Sequence, residues 1–133
     1  MSGPMEQKYL LDAHIQARKM YNLLGEVHDL SKQLAEALDR NDEVTVQMLL
    51  SMRHEPIGEL ARIYEVLQEQ AESAAQAGAA RLRELLNGAE ARAPEENGLA
   101  AQVAMNGRLL EQVQALEANL NRKISRENSI FIK

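Results

Sequence analysis

The sequence predicts an all-α protein: an elongated antiparallel three-helix bundle, or a helical hairpin with a third helix laid on it. Three long stretches repeat apolar residues every three or four positions, the spacing that keeps one face of a helix apolar. The segments between them are short and polar, or carry Gly and Pro, as helix connections do. With no Cys or Trp, one Phe and three Tyr among 133 residues, the core must come from Leu, Ala, Val, Ile and Met, which suit helix-on-helix packing. A chain of this length is expected to form one domain, residues 1–133.

Helix one is expected over about 4–38. Its stripe is Leu10, Ala13, Ala17, Met20, Leu24, Val27, Leu30, Leu34 and Leu38, and Pro4 suits a first turn, where its missing N–H is harmless. A polar cluster, Asp39 to Asp42, follows; Asn41 tolerates a left-handed backbone and Asp42 can accept amide hydrogen bonds from the next helix. So short a link makes helices one and two antiparallel neighbours. Helix two is expected over about 42–87, with Val46, Leu49 or Leu50, Arg53, Ile57, Leu60, Tyr64, Leu67, Ala71 and Ala74 on one face. A kink is expected near Pro56, whose ring removes one ladder bond. Past Gln70 the side chains shrink to Ala, Ser and Gly before Leu82, Leu85 and Leu86 restore bulk. Such a stretch either admits a close neighbour or frays. Asn87-Gly88 reads as a helix stop, and helix three is expected over about 98–124, with a non-helical tail over 125–133.

Composition narrows the function. A formal net charge of −5 with both signs scattered offers no basic footprint for nucleic acid. No apolar run approaches the roughly 20 residues needed to cross a bilayer, and the charged first twenty residues do not read as a signal peptide. A cytoplasmic protein without membrane insertion is expected, and the lack of Cys excludes disulfides and thiolate metal sites.

Catalytic and cofactor chemistry finds no motif. His14, His28 and His54 are too far apart in sequence to pair across one helical turn, and His54-Glu55 is followed by Pro56, not by the second His of a zinc signature. Glu-x-x-His, Gly-rich phosphate loops and nucleophile turns are absent. No enzyme activity, metal or cofactor is expected; the reading is protein binding. Met20, Met48, Met52 and Met105 serve either as core filler or as an adaptable groove. Asn106, polar on an apolar stripe, either fixes helix register or contacts a partner's backbone.

The stretch from Leu23 to Arg53, with its leucine-rich first helix, short polar turn and the pattern Leu49-Leu50-Ser51-Met52-Arg53, resembles the FlgN-type flagellar export chaperones. Asn106-Gly107-Arg108-Leu109-Leu110 matches the Asn among leucines of that family's third helix. Over about Leu10 to Ile124 the resemblance implies a cytoplasmic chaperone. It would hold disordered, aggregation-prone termini of hook–filament junction proteins and deliver them to the flagellar export gate.

The client surface is expected on helix three and its tail, because a hairpin of two helices cannot cover every apolar stripe. The residues are Asn106, Leu110, Val113, Leu116, Leu120 and Ile124, with Phe131 as a tail contact that either docks on the bundle or stays free. The competing reading is a coiled-coil module that self-associates through the same stripes into a homo-oligomer.

Overall fold

A computed structural model describes the backbone of residues 4–74 and 76–132 and the side chains of 7–74 and 78–126. The described elements are α1 (Pro4–Asp39), α2 (Glu43–Ser73), α3 (Gln76–Leu86), a 3₁₀ turn (Pro94–Glu96) and α4 (Asn97–Ile132). The fold is all-α, with long helices packed side by side. Among the described residues no helix is long and apolar enough to cross a membrane.

Register follows from which side chains meet. Leu49 of α2 packs with Leu34 and Ala37 near the end of α1, whereas Ile63, Leu67 and Ala71 pack with Ala13 and Ala17 near its start, so α2 runs antiparallel to α1. On α4, Leu99 meets Ala13 and Ala17, Val113 meets Leu24 and Val27, and Leu120 meets Leu34. Both series ascend together, so α4 is parallel to α1 within an up–down–up arrangement. Both α2 and α4 lie along α1, while between themselves they barely meet along the backbone. Helix α1 is therefore the spine. The end bearing Asp39 is called the upper end below, and the end near Tyr9 the lower.

Local chemistry fixes the first turn. Asn41 takes φ 56°, and the Asp42 amide donates back to the Ala37 carbonyl at 3.0 Å, closing α1. Asp42 then caps α2, its carboxylate accepting from the Thr45 amide at 3.2 Å and the Thr45 hydroxyl at 2.7 Å. These bonds, the hydroxyl's first, hold its pKa below the ordinary carboxylate value. At the other end, Gly98 lets α4 start against α1: a Cβ there would stand 2.9 Å from Cε1 of His14.

Two boundaries differ from the sequence reading. Helix two does not reach residue 87 as one rod; it ends at Ser73, Ala74 is extended (φ −67°, ψ 154°), and α3 is a separate helix. The turn-back seats Leu82 and Leu85 in the lower core beside Leu67, Ala71 and Leu99. The Tyr9 hydroxyl donates to the Ser73 carbonyl at 2.7 Å, covering an acceptor that the broken ladder leaves open. Pro56 lies buried inside α2, which continues through it. Helix three does not stop at Ile124; α4 runs to Ile132, because Ser125 to Asn128 contain no Pro or Gly to end it.

Candidate functional site: a half-open groove

The upper half of the bundle is closed. Leu34, Ala37, Leu49 and Leu120 form a buried knot in which α1, α2 and α4 all take part. Just below it, Glu117 of α4 accepts from Arg53 of α2 and from the Ser31 hydroxyl of α1 at 3.2 Å, tying the three helices with polar contacts. Arg53 and Ser31 are buried, and Nε of Arg53 has no protein partner. Lys123 pairs with Asp39 at the very top.

Below this latch, α2 and α4 part. Between them, over α1, lies a groove of about 930 Å³. Its floor is Ala17, Met20 and Leu24 of α1; one wall is Leu60, Ala61, Tyr64, Leu67 and Ala71 of α2, and the other is Val103, Ala104, Gly107 and Leu110 of α4. The end of α3, Leu86 with Asn87 and Gly88, closes it below. Small side chains explain the opening. Ala104 and Gly107 cannot reach across to α2, and a Cβ built on Gly107 would meet nothing within 4 Å. Tyr64 is 60% exposed and Leu110 42%, a large apolar surface left uncovered in a concave site. Along α2 the groove extends from Leu60 to Glu72, roughly 18 Å or three helical turns.

A rigid polar base supports the lower end. Arg81 of α3 donates to both oxygens of Glu96, at 2.6 and 3.0 Å, and to Oε1 of Glu84 and the Glu90 carbonyl. The Arg92 amide donates to Glu96 at 2.9 Å. Arg81 holds the Glu96 pKa down to about 2 against the upward push of burial, with the Arg92 amide assisting; the Arg81 pKa is raised in turn by Glu96 and then Glu84. This node pins the loop between α3 and α4, and with it the end of α3 that closes the groove below.

The expected client residues divide sharply. Val113 and Leu120 are buried in the protein's own core, and Asn106 is buried as well: its Nδ2 donates to the Ala17 carbonyl at 2.8 Å, and its Oδ1 accepts from Gln102 at 3.2 Å. Asn106 thus makes a buried contact with α1, and it also lines the groove. Leu116 and Ile124 are half-buried, and Leu110 alone is both exposed and on the groove wall. A free stripe on α4 is thus not what the bundle offers, because α1 already occupies it. The Phe131 side chain lies outside the described residues. Of the four methionines, Met20 lies on the groove floor, while Met48, Met52 and Met105 are exposed.

The α2 wall was not singled out by sequence reasoning. Leu60, Tyr64, Leu67 and Ala71 follow helical spacing and read as ordinary core. The signal for a groove was the pair of small residues Ala104 and Gly107 opposite them, which becomes visible only once the helices are in register. Among the described residues, no group of three or more His, Asp or Glu is placed to hold a metal ion. No family description, curated protein or solved structure matches the chain.

Proposed function

We propose that this protein is a chaperone that receives an amphipathic helix of a client protein in the groove between α2 and α4. The observation that carries this reading is the half-open bundle: three helices sealed at one end and parted at the other around an apolar trough about three turns long. A helix laid there would occupy the place of a fourth bundle helix above α3, with small residues on both walls leaving room for large apolar side chains. Three such anchors contribute roughly 5–9 kcal/mol of gross apolar burial, before the cost of association. Binding of this kind needs no catalytic group. The resemblance to FlgN-type chaperones suggests the client class, the aggregation-prone ends of hook–filament junction proteins, held in the cytoplasm and passed to the export gate.

The test is capture of purified hook–filament junction proteins of a flagellated host by the intact chain. Leu110→Asp places a charge on the exposed groove wall without touching the core. Loss of capture with unchanged helicity is the expected outcome. Capture by Leu110→Asp at wild-type strength would remove the groove as the binding site, and no capture by the wild type would remove this client class.

A further inference from the structure

The face of α1 turned away from the groove is left uncovered, and its charges are sorted. Taking the exposed positions in steps of three and four, the lower half carries Lys8, Arg18 and Lys19, and the upper half carries Glu26, Asp29 and Glu36. Asn22 stands at the boundary. Leu11, 60% exposed, and Ile15, 44% exposed, lie among the basic residues. Asp12, half-buried, and Lys32, exposed, are the opposite-sign charges of each half and lie along the stripe's two edges, Asp12 beside Lys19 and Lys32 one turn from Asp29 and Glu36. Among the described residues, none of the six stripe charges forms an ion pair within the chain.

We propose that this stripe is a self-complementary interface through which two copies of the chain pair, α1 against α1 in antiparallel orientation, about a two-fold axis at Asn22. Reversing a helix about Asn22 sets Lys8 opposite Glu36, Arg18 opposite Glu26 and Ile15 opposite Asp29, and the symmetry repeats each pairing. Parallel pairing would instead oppose like charges along the whole stripe. The apolar residues also find a seat. Beside Glu26 and Asp29 a shallow pocket of about 470 Å³ opens between α1 and α2, with Leu23, Leu30 and Met52 in its lining and Glu55 on its rim. Ile15 of the second copy arrives at this level, flanked by its own Arg18 and Lys19, which meet the acidic rim.

The stripe from Lys8 to Glu36 is about 42 Å long and one helix wide, so the buried area falls at the low end for a specific complex. Association is therefore weak and salt-sensitive, with charge setting orientation. The groove floor residues Ala17, Met20 and Leu24 occupy the opposite side of α1 from Asn22, so pairing leaves both grooves open and pointing outwards. This inference does not depend on the client reading.

Sedimentation equilibrium on the full chain tests it. At low ionic strength the mass should rise with concentration from 14.9 kDa towards twice that value, and about 0.5 M salt should reverse the rise. The double variants Arg18→Glu/Lys19→Glu and Glu26→Lys/Asp29→Lys should each lose association by on the order of a hundredfold, while their equimolar mixture recovers it. Leu110→Asp should pair like the wild type. Because the chain has no cysteine, Asn22→Cys gives a second readout: oxidation should cross-link two copies at low salt and not at high salt. A wild type that stays monomeric at low salt, reversal variants that pair unchanged, a mixture that fails to pair, or an Asn22→Cys chain that does not cross-link would overturn the proposal.

Discussion

The two halves of the bundle use the same three helices to opposite ends. Above Arg53, leucines from three helices meet and shut the interior; below it, α2 and α4 keep their apolar faces but stand apart around the groove. The difference lies in side-chain size at a few positions. Leu120 on α4 reaches the centre and finds Leu49 across from it, whereas Ala104 and Gly107, on the same helix lower down, leave a trough beside Leu60 and Tyr64. Openness here comes from short side chains on a rigid frame, with the latch marking where one regime gives way to the other.

The largest effect expected from breaking this contrast is at the seal. Leu120 is 1% exposed, and Leu120→Ala should cost about 2–5 kcal/mol in urea unfolding, because it leaves a cavity where three helices meet. An exposed-residue effect below about 0.5 kcal/mol would mean that the upper half is not the stabilising one.

Next comes the latch. Glu117→Ala strands Arg53, which is 9% exposed and already has one nitrogen without a protein partner. The expected loss is about 1–3 kcal/mol, below that of a fully buried pair because the Glu117 side chain is 35% exposed. Arg53→Met together with Glu117→Leu should recover most of it, since a matched apolar pair leaves no charge behind. No recovery would show that Arg53 acts through something other than its pairing with Glu117.

Acid should act on the lower half through Glu96. Its folded pKa of about 2 lies below the reference 4.5, so the group binds fewer protons folded than unfolded. Its contribution is complete above about pH 4.5 and is lost as pH falls through about 2. The stability gap between wild type and Glu96→Gln should narrow over that window, read as the difference in urea midpoints. A gap that stayed constant down to pH 2 would show that the Arg81 node does not depend on the Glu96 charge.

The sequence made the all-α class legible because nearly every large apolar residue fell on a helical stripe. The turn at Asn41 and Asp42 was legible for an equally local reason, since both residues act through their own backbone conformation and hydrogen bonds. Ala74 shows where local reading stops. The small side chains past Gln70 leave open whether the helix continues to Leu86 or breaks, and it ends at Ser73. The break comes from tertiary burial, which outweighs propensity: folding back at Ala74 places Leu82 at 3% and Leu85 at 0% exposure. The groove was illegible for a related reason. It is a gap between two helices, and only register reveals that Tyr64 and Gly107, 43 positions apart, face the same space.

The smallest stability effect is expected at that gap, and it has the opposite sign. Gly107 lies in the interior of α4, where glycine costs about 1 kcal/mol relative to a good helix former, and its missing side chain points into open space. Gly107→Leu should therefore raise stability, by about 0.5–1 kcal/mol, and more if the new side chain reaches the Leu60 and Tyr64 wall. The same change fills the trough from within, so client capture should fall while the molecule becomes harder to unfold. Destabilising variants cannot produce that pairing of outcomes, because they lose binding and fold together. A Gly107→Leu chain that is more stable and still captures its client at wild-type strength would place the binding surface elsewhere, while one that is less stable would show that α2 and α4 approach more closely below the latch than the groove's width allows.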